Sequence, residues 1–145
     1  MGNPVRTLVA AWLGLGLLMS LLAVGDLTVP GPYYDEVIQA LPTVEFLEGR
    51  ARAAPLPGSE VLRLQGRPFP WMTQGYMGAL KSQLLIPCFA LAGSELFVLR
   101  VTTLAWSVLG LLFCVAFARR AFGTGVALVS GLLLVSDASF LFMSR

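Results

Sequence analysis

Two adjacent carboxylates, Asp35 and Glu36, are the residues of this chain best suited to chemistry. They follow the first hydrophobic run after a short proline-rich stretch, with Tyr33 and Tyr34 immediately before them. Because the chain contains no histidine, a proton transfer would fall to a carboxylate. A carboxylate pair just beyond a membrane-spanning helix would lie where lipid-borne substrates present their phosphate groups. The pair is therefore the first candidate for a catalytic site.

The composition indicates the kind of elements that must position this pair. Hydrophobic residues make up 57% of the 145 residues and charged residues 12%, whereas soluble domains carry about 25% charge. This balance predicts a membrane protein, and a net charge of +2 without a basic stripe excludes nucleic acid as a partner. Cys88 and Cys114 lack paired spacing, so we interpret them as small buried apolar residues. We expect no metal site and no other cofactor.

Three hydrophobic runs predict transmembrane helices. Residues 1–25 form a short cytoplasmic N-terminus and a first span, whose uncharged run of about 19 residues would reach roughly 28 Å as a helix. Residues 96–118 form the second span, and residues 119–145 form a cytoplasmic turn at Arg119-Arg120 and the third. Basic flanks favour the cytoplasm, which places the N-terminus inside. The alternative for the first run is a secretory signal peptide.

Residues 26–95 are expected to form a long extracytoplasmic loop with juxtamembrane helices. Apolar spacing predicts two short helical pieces on either side of Pro42, the second ending at Gly49. Residues 78–93 are apolar but short, and they carry Lys81 near their start and a proline in their second half. We therefore predict an interfacial or re-entrant helix there.

The predicted fold class is thus an all-α membrane protein with three transmembrane helices, a multi-pass protein of the cell membrane. Aromatic residues at 69, 71 and 76 are expected to anchor the chain at the membrane interface where it returns to the bilayer. The lipid bilayer is the first partner that this fold class implies.

The order of these features resembles a known family. A first helix precedes Tyr-Asp-Glu at 34–36, Gly-Tyr-Met-Gly-Ala-Leu-Lys at 75–81 and a hairpin turn at 118–123, as in the N-terminal portion of polytopic C-type glycosyltransferases. Within that superfamily the chain looks most like family 39 and its relatives, the protein O-mannosyltransferases and the lipid A aminoarabinose transferases. The resemblance runs from Arg6 to Arg145. Because those relatives continue with further spans, it implies an N-terminal fragment that is inactive alone.

The resemblance implies that a sugar moves from a polyprenyl-phosphate carrier to a glycan, lipid or protein acceptor on the extracytoplasmic side. Asp35 would be the general base on the acceptor hydroxyl, with Glu36 supporting the site, and phosphate would leave as a stabilised anion. The resemblance also implies that Lys81 binds the phosphate of the lipid carrier and that Arg145 shares this role. A strongly hydrated point charge at the bilayer surface is suited to bind a phosphate. The substrate-binding residues carried over by the resemblance are Tyr34, Tyr76, Lys81 and Arg145.

Simpler interpretations of the same residues define an alternative class. Asp35 and Glu36 would merely cap a helix with an acidic first turn. Lys81 would extend its ammonium to the lipid headgroups, and Arg100 would be an interfacial anchor. On this interpretation the chain is a small non-enzymatic membrane protein that acts in interaction or assembly.

Overall fold

The computed structural model describes residues 4–25, 27, 31–50 and 58–144, with side chains of the first helix described from Val9 onward. Most of these residues are helical. In chain order the elements are α1 (Pro4–Val24), α2 (Tyr34–Glu48), β1 (Glu60–Leu64), β2 (Arg67–Gln74), β3 (Met77–Gly78), α3 (Leu80–Ala92), α4 (Leu96–Phe122), α5 (Thr124–Ser136) and α6 (Ala138–Met143). They fall into two compact units, one of Met1–Leu27 with Thr103–Arg145 and one of Thr28–Thr102.

The first unit is built around an apolar core contributed by α1, α4 and α5. Its buried residues are Leu15, Met19, Ala23, Leu104, Leu111, Val115, Ala127 and Val135. A glycine allows the closest approach in this core: a Cβ added at Gly131 would lie 2.7 Å from Leu15 Cδ1 and 2.9 Å from Val115 Cγ2. A side chain at position 131 would therefore require Leu15 or Val115 to shift.

The second unit packs α2 against α3 and against an antiparallel sheet with strand order β1-β2-β3. Leu85, Phe89 and Leu99 form its buried apolar cluster. The ring of Phe46 in α2 meets the ring of Phe69 in β2 edge to face, with centroids 5.6 Å apart. The sheet is a departure from the predicted all-α fold, because residues 60–78 pair as strands where we expected only loop and interfacial anchors.

Helix α2 runs unbroken through Pro42, so the predicted break at this proline is wrong. Two hydrogen bonds, one buried and one partly buried, join the turns around the proline to α3. Thr43 Oγ1 donates to the Ser82 carbonyl at 2.7 Å, and Ser82 Oγ donates to the Gln39 carbonyl at 2.6 Å. The predicted end of the helix at Gly49 is confirmed, since Gly49 takes the left-handed φ of 69° that favours glycine.

Among the described residues, α4 is the one helix that is both long enough and apolar enough to cross a membrane. It has 27 residues, whereas a bilayer needs about 20. The apolar helices Val9–Val24, Leu80–Ala92 and Thr124–Ser136 are shorter. The structure therefore contains one candidate span and does not support three.

The predicted third span is interrupted at Asp137. Helix α5 has 13 residues and ends at Ser136, and the backbone of Asp137 is extended, with φ −76° and ψ 118°. The Asp137 carboxylate accepts a hydrogen bond of 2.7 Å from the Phe140 N–H and so begins a separate helix, α6. An aspartate is a favoured N-cap, which explains why this position divides the apolar run into two helices.

Candidate functional site

The candidate site lies in the second unit, at the amino end of α2. Tyr33 is extended and precedes the helix, and its backbone N–H donates to Glu36 Oε2 at 2.8 Å. A carboxylate at the third helical position satisfies one of the free N–H groups at a helix start and suits the positive end of the helix dipole. The simpler interpretation of Glu36 as part of a helix cap is therefore confirmed for this residue.

Glu36 also forms a buried ion pair with Arg100, which lies near the start of α4. Arg100 Nε is 2.8 Å from Oε1, and Arg100 Nη2 is 3.0 Å from Oε2. Glu36 is 8% exposed and Arg100 only 1%. Arg100 Nη2 also donates to the Gly31 carbonyl at 3.3 Å, and the guanidinium lies 5.8 Å from the centre of the Tyr33 ring. Arg100 therefore links α4 both to the segment that precedes α2 and to the first turn of α2.

The contacts of Glu36 change its pKa. Burial raises its pKa, but the hydrogen bonds from Arg100 and from the Tyr33 N–H, with the nearby positive charges, outweigh burial and hold the pKa below its ordinary value. Glu36 therefore stays ionised and fully engaged. A carboxylate in this state is a poor acceptor for a further proton, so the structure gives Glu36 a positioning role rather than that of a base.

Asp35 has the opposite surroundings. Its side chain is exposed, and it makes no hydrogen bond or ion pair with any residue that the structure describes. Asp35 is nevertheless held in place, because it lies in the first turn of α2 between Tyr33 and the anchored Glu36. The structure therefore brings one free carboxylate and one engaged carboxylate to the same helical turn.

Lys81, the one lysine in the sequence, lies at the start of α3 and is half-buried. Burial lowers its pKa, and the negative charge of Glu36 acts in the opposite direction. Within the described part of the chain, its ammonium has no hydrogen bond and no ion pair at contact distance. A partly desolvated cation without a close partner is suited to bind an anion, because a ligand would restore part of the lost solvation.

The contact between α2 and α3 positions Lys81 relative to Glu36. Ser82, the next residue, is fully buried and exchanges the two hydrogen bonds with α2 described above, one from Thr43 and one to Gln39. The same face of α2 carries Glu36, one turn before Gln39. These bonds hold the first turn of α3 against α2, and the charges of Lys81 and Glu36 interact across this contact.

The remaining residues predicted to bind substrate are less constrained. Tyr34 is 70% exposed and Tyr76 is 83% exposed. Both project into solvent, and their predicted role stays a prediction. Arg145 lies outside the described residues.

A cleft of about 170 Å³ opens beside α2 in the same unit. It is mostly apolar and is lined by Pro32, Glu36, Val37, Ala40, Val44, Phe89, Ser94, Glu95, Leu96 and Leu99. Ligand sites for drug-sized molecules measure about 300–1,000 Å³. This cleft is therefore large enough for part of a ligand only, such as a short apolar segment next to Glu36.

The described residues contain no group of three or more histidine, cysteine or carboxylate side chains that could hold a metal ion. Cys88 is half-buried and donates weakly to the Leu84 carbonyl, with a sulfur to oxygen distance of 3.7 Å. Cys114 is exposed, so the expectation that it is buried is wrong.

Arg100 is the site residue that the sequence reasoning missed. Its interpretation as an interfacial anchor is wrong, since Arg100 is buried and paired with Glu36. One signal was present in the sequence: a charged residue near the start of a long apolar run is costly unless an acid neutralises it. The sequence did not show which acid that is, because Glu36 and Arg100 are 64 positions apart.

No protein-family model matches this chain, and no curated protein and no solved structure shows significant similarity to it.

Proposed function

We propose that this chain forms part of a membrane glycosyltransferase that moves a sugar from a polyprenyl-phosphate carrier to an acceptor on the extracytoplasmic side. The proposal rests on the order of motifs along the sequence. One structural observation supports it above the others: Asp35 is exposed and free, while its neighbour Glu36 is locked to Arg100. A general base needs a free carboxylate on a rigid support, and this turn of α2 has both.

In the proposed step Asp35 accepts the proton of the acceptor hydroxyl. The hydroxyl oxygen forms a bond to the anomeric carbon of the sugar, and the bond between that carbon and the phosphate oxygen breaks. The electron pair leaves with the polyprenyl phosphate, so the phosphate gains negative charge as the bond breaks. Lys81 is the candidate to stabilise that charge, because its half-buried ammonium has no ligand among the described residues.

The proposal places α1 and α4 across the membrane, with the broken run of α5 and α6 as a third crossing, and places α2 and α3 outside the cytoplasm. The charge of Lys81 and the acidic pair at the start of α2 would then face the carrier headgroups. The acceptor is a glycan, a lipid or a protein, and Asp35 requires only that it present a hydroxyl.

Replacement of Asp35 by Asn in the full-length protein tests the proposal. Sugar transfer from a polyprenyl-phosphate donor should fall by about 10²–10⁴-fold, the usual contribution of a general base. Stability should fall by no more than about 1 kcal/mol, because Asp35 makes no hydrogen bond or ion pair among the described residues and only its interaction with the helix dipole is lost. Glu48→Gln is the matched control, since Glu48 is a surface acid at the other end of the same helix. Unchanged transfer by Asp35→Asn would remove Asp35 as the base.

The non-enzymatic alternative has one observation in its favour, the use of Glu36 in a helix cap and an ion pair. It explains Glu36 without any substrate. It does not require Lys81 to be partly desolvated, and it predicts that Asp35→Asn and Lys81→Gln leave all functions of the full-length protein intact. The two substitutions therefore separate the two classes.

A further inference from the structure

The hairpin of β1 and β2 carries apolar side chains that the fold leaves uncovered. All five residues of β1 are exposed. Val61 and Leu62 are each 51% exposed, Leu64 is 50% exposed, and Trp71 of β2 is 53% exposed. Scattered apolar residues are ordinary on a protein surface, but a contiguous group of this kind marks an interaction site.

The strand register places two of these leucines on one face. Leu62 lies opposite Phe69, and Leu64 lies opposite Arg67. Directly opposite residues of an antiparallel pair share a face, and alternate residues of a strand do so as well. Trp71 lies where the register shifts, beside the same strand pair. The exposed apolar side chains are thus grouped around one short hairpin.

Basic residues accompany this apolar group. Arg63 and Arg67 flank the turn at Gln65 and Gly66, and both are exposed. Arg67 Nη1 donates to the Leu47 carbonyl at 3.1 Å, which ties the base of the turn to α2. Glu60, at the far end of β1, is the one acid between residues 60 and 78. The turn therefore presents positive charge beside exposed leucine, and Trp71 lies at the other end of the same hairpin.

We propose that this hairpin docks on the surface of an anionic lipid bilayer. Leu62 and Leu64 enter the interface, Trp71 lies at the level of the headgroups, and Arg67, on the same face as the two leucines, contacts lipid phosphates. Arg63 projects from the other face of β1 and adds positive charge near the turn. Arginine and tryptophan around exposed leucine fit a boundary that is apolar on one side and anionic on the other. The inference rests on the proposed membrane location and is independent of the proposed sugar transfer.

A protein partner that adds a strand to β1 is the competing occupant. Strand addition uses the free edge of β1 and needs no arginine at the turn. The exposed charge at the turn is complementary to lipid phosphates, and this favours the bilayer. The two occupants give different results in the following experiment.

The three tryptophans, Trp12 in α1, Trp71 in β2 and Trp106 in α4, provide the probe. Variants of the full chain that keep only Trp71 or only Trp106 are placed in nanodiscs of neutral or anionic lipid brominated at shallow or deep chain positions. Trp106, which is 47% exposed on α4, reports the membrane location by itself. In anionic discs, the fluorescence of Trp71 should be quenched by lipid that is brominated at shallow chain positions. The substitutions Leu62→Asp and Leu64→Asp should abolish this quenching without changing the quenching of Trp106.

Arg63→Gln should weaken the binding of the hairpin to anionic discs relative to neutral discs by about fivefold, as followed by the quenching of Trp71. This factor is equivalent to about 1 kcal/mol for one basic residue at the surface. If Trp106 is quenched and Trp71 is quenched only by aqueous iodide, the hairpin proposal is overturned and the membrane location stands. If Trp71 is shielded from both bromine and iodide, a protein partner covers the hairpin, which also overturns it. If neither tryptophan is quenched by brominated lipid, both the docking and the membrane location fail.

Discussion

Arg100 holds Glu36 through two parallel hydrogen bonds, with Nε 2.8 Å from Oε1 and Nη2 3.0 Å from Oε2. The side chains are 2% and 10% exposed, respectively. The pair joins the first turn of α2 to the start of α4. Because Asp35 precedes Glu36 in the same turn, the ion pair also restrains the backbone that carries the exposed Asp35 carboxylate.

Removal of one member of this pair should be costly. Arg100→Ala should lower the free energy of unfolding by about 3–5 kcal/mol, because it leaves Glu36 buried without its main partner. The double variant Glu36→Leu with Arg100→Met should lose less, since no buried charge remains. Denaturant titration in detergent micelles measures both, with Arg63→Ala as the exposed control. Equal losses in the single and double variants would contradict this account.

Acid should weaken the protein through Glu36. The folded state holds the pKa of Glu36 below its ordinary value of 4.5, so the unfolded chain binds the proton more tightly. The stabilisation is fully present above pH 4.5 and is lost as the pH falls through the lowered folded value. Unfolding followed between about pH 6 and about pH 3 should show this loss in the wild type. The loss should be smaller in Glu36→Gln, and an identical pH profile for the two proteins would contradict the prediction.

Lys81 should titrate below the ordinary lysine value of 10.5, because burial disfavours its charged form. Glu36→Gln should lower this pKa further by removing a nearby negative charge. Since the chain has a single lysine, one carbon signal from labelled lysine follows the titration in NMR. Glu48→Gln is the control and should leave the signal unchanged. A pKa at 10.5, or one that does not respond to Glu36→Gln, would separate Lys81 from the site.

Gly131→Ala should destabilise the first unit by about 1–3 kcal/mol through overpacking. Its Cβ would meet Leu15 and Val115 at less than ordinary contact distance. Gly110→Ala in α4 is the control, because nothing lies within 4 Å of a Cβ at that position. The control should gain about 0.5–1 kcal/mol from the better helix propensity of alanine. Similar effects of the two substitutions in denaturant titrations would mean that α1, α4 and α5 do not approach closely at Gly131.

Local sequence signals identified the helical part of the second unit well. The end of α2 at Gly49 follows from the ease with which glycine adopts a left-handed conformation. The helix predicted within residues 78–93 is present as α3, and the start of α4 at Leu96 is confirmed. Each of these depends on the properties of a few neighbouring residues.

Predictions that required distant contacts were weaker. Pro42 predicts a break in α2, but the helix continues through it, and hydrogen bonds from Thr43 and Ser82 join the neighbouring turns to α3. The strands at 60–78 were expected as loop, because alternation is obscured there by prolines and exposed leucines. Asp137 was expected within a span, yet its carboxylate begins a new helix.

The sequence alone determined that Asp35 and Glu36 lie together at a helix start and that Lys81 begins another helix, since composition and spacing set these local structures. Only the tertiary structure decided that the two acids differ. Arg100 reaches Glu36 across 64 positions of the chain and leaves Asp35 exposed. Two adjacent carboxylates on a helix point in different directions, so the packing of α4 against one of them determines which acid stays free.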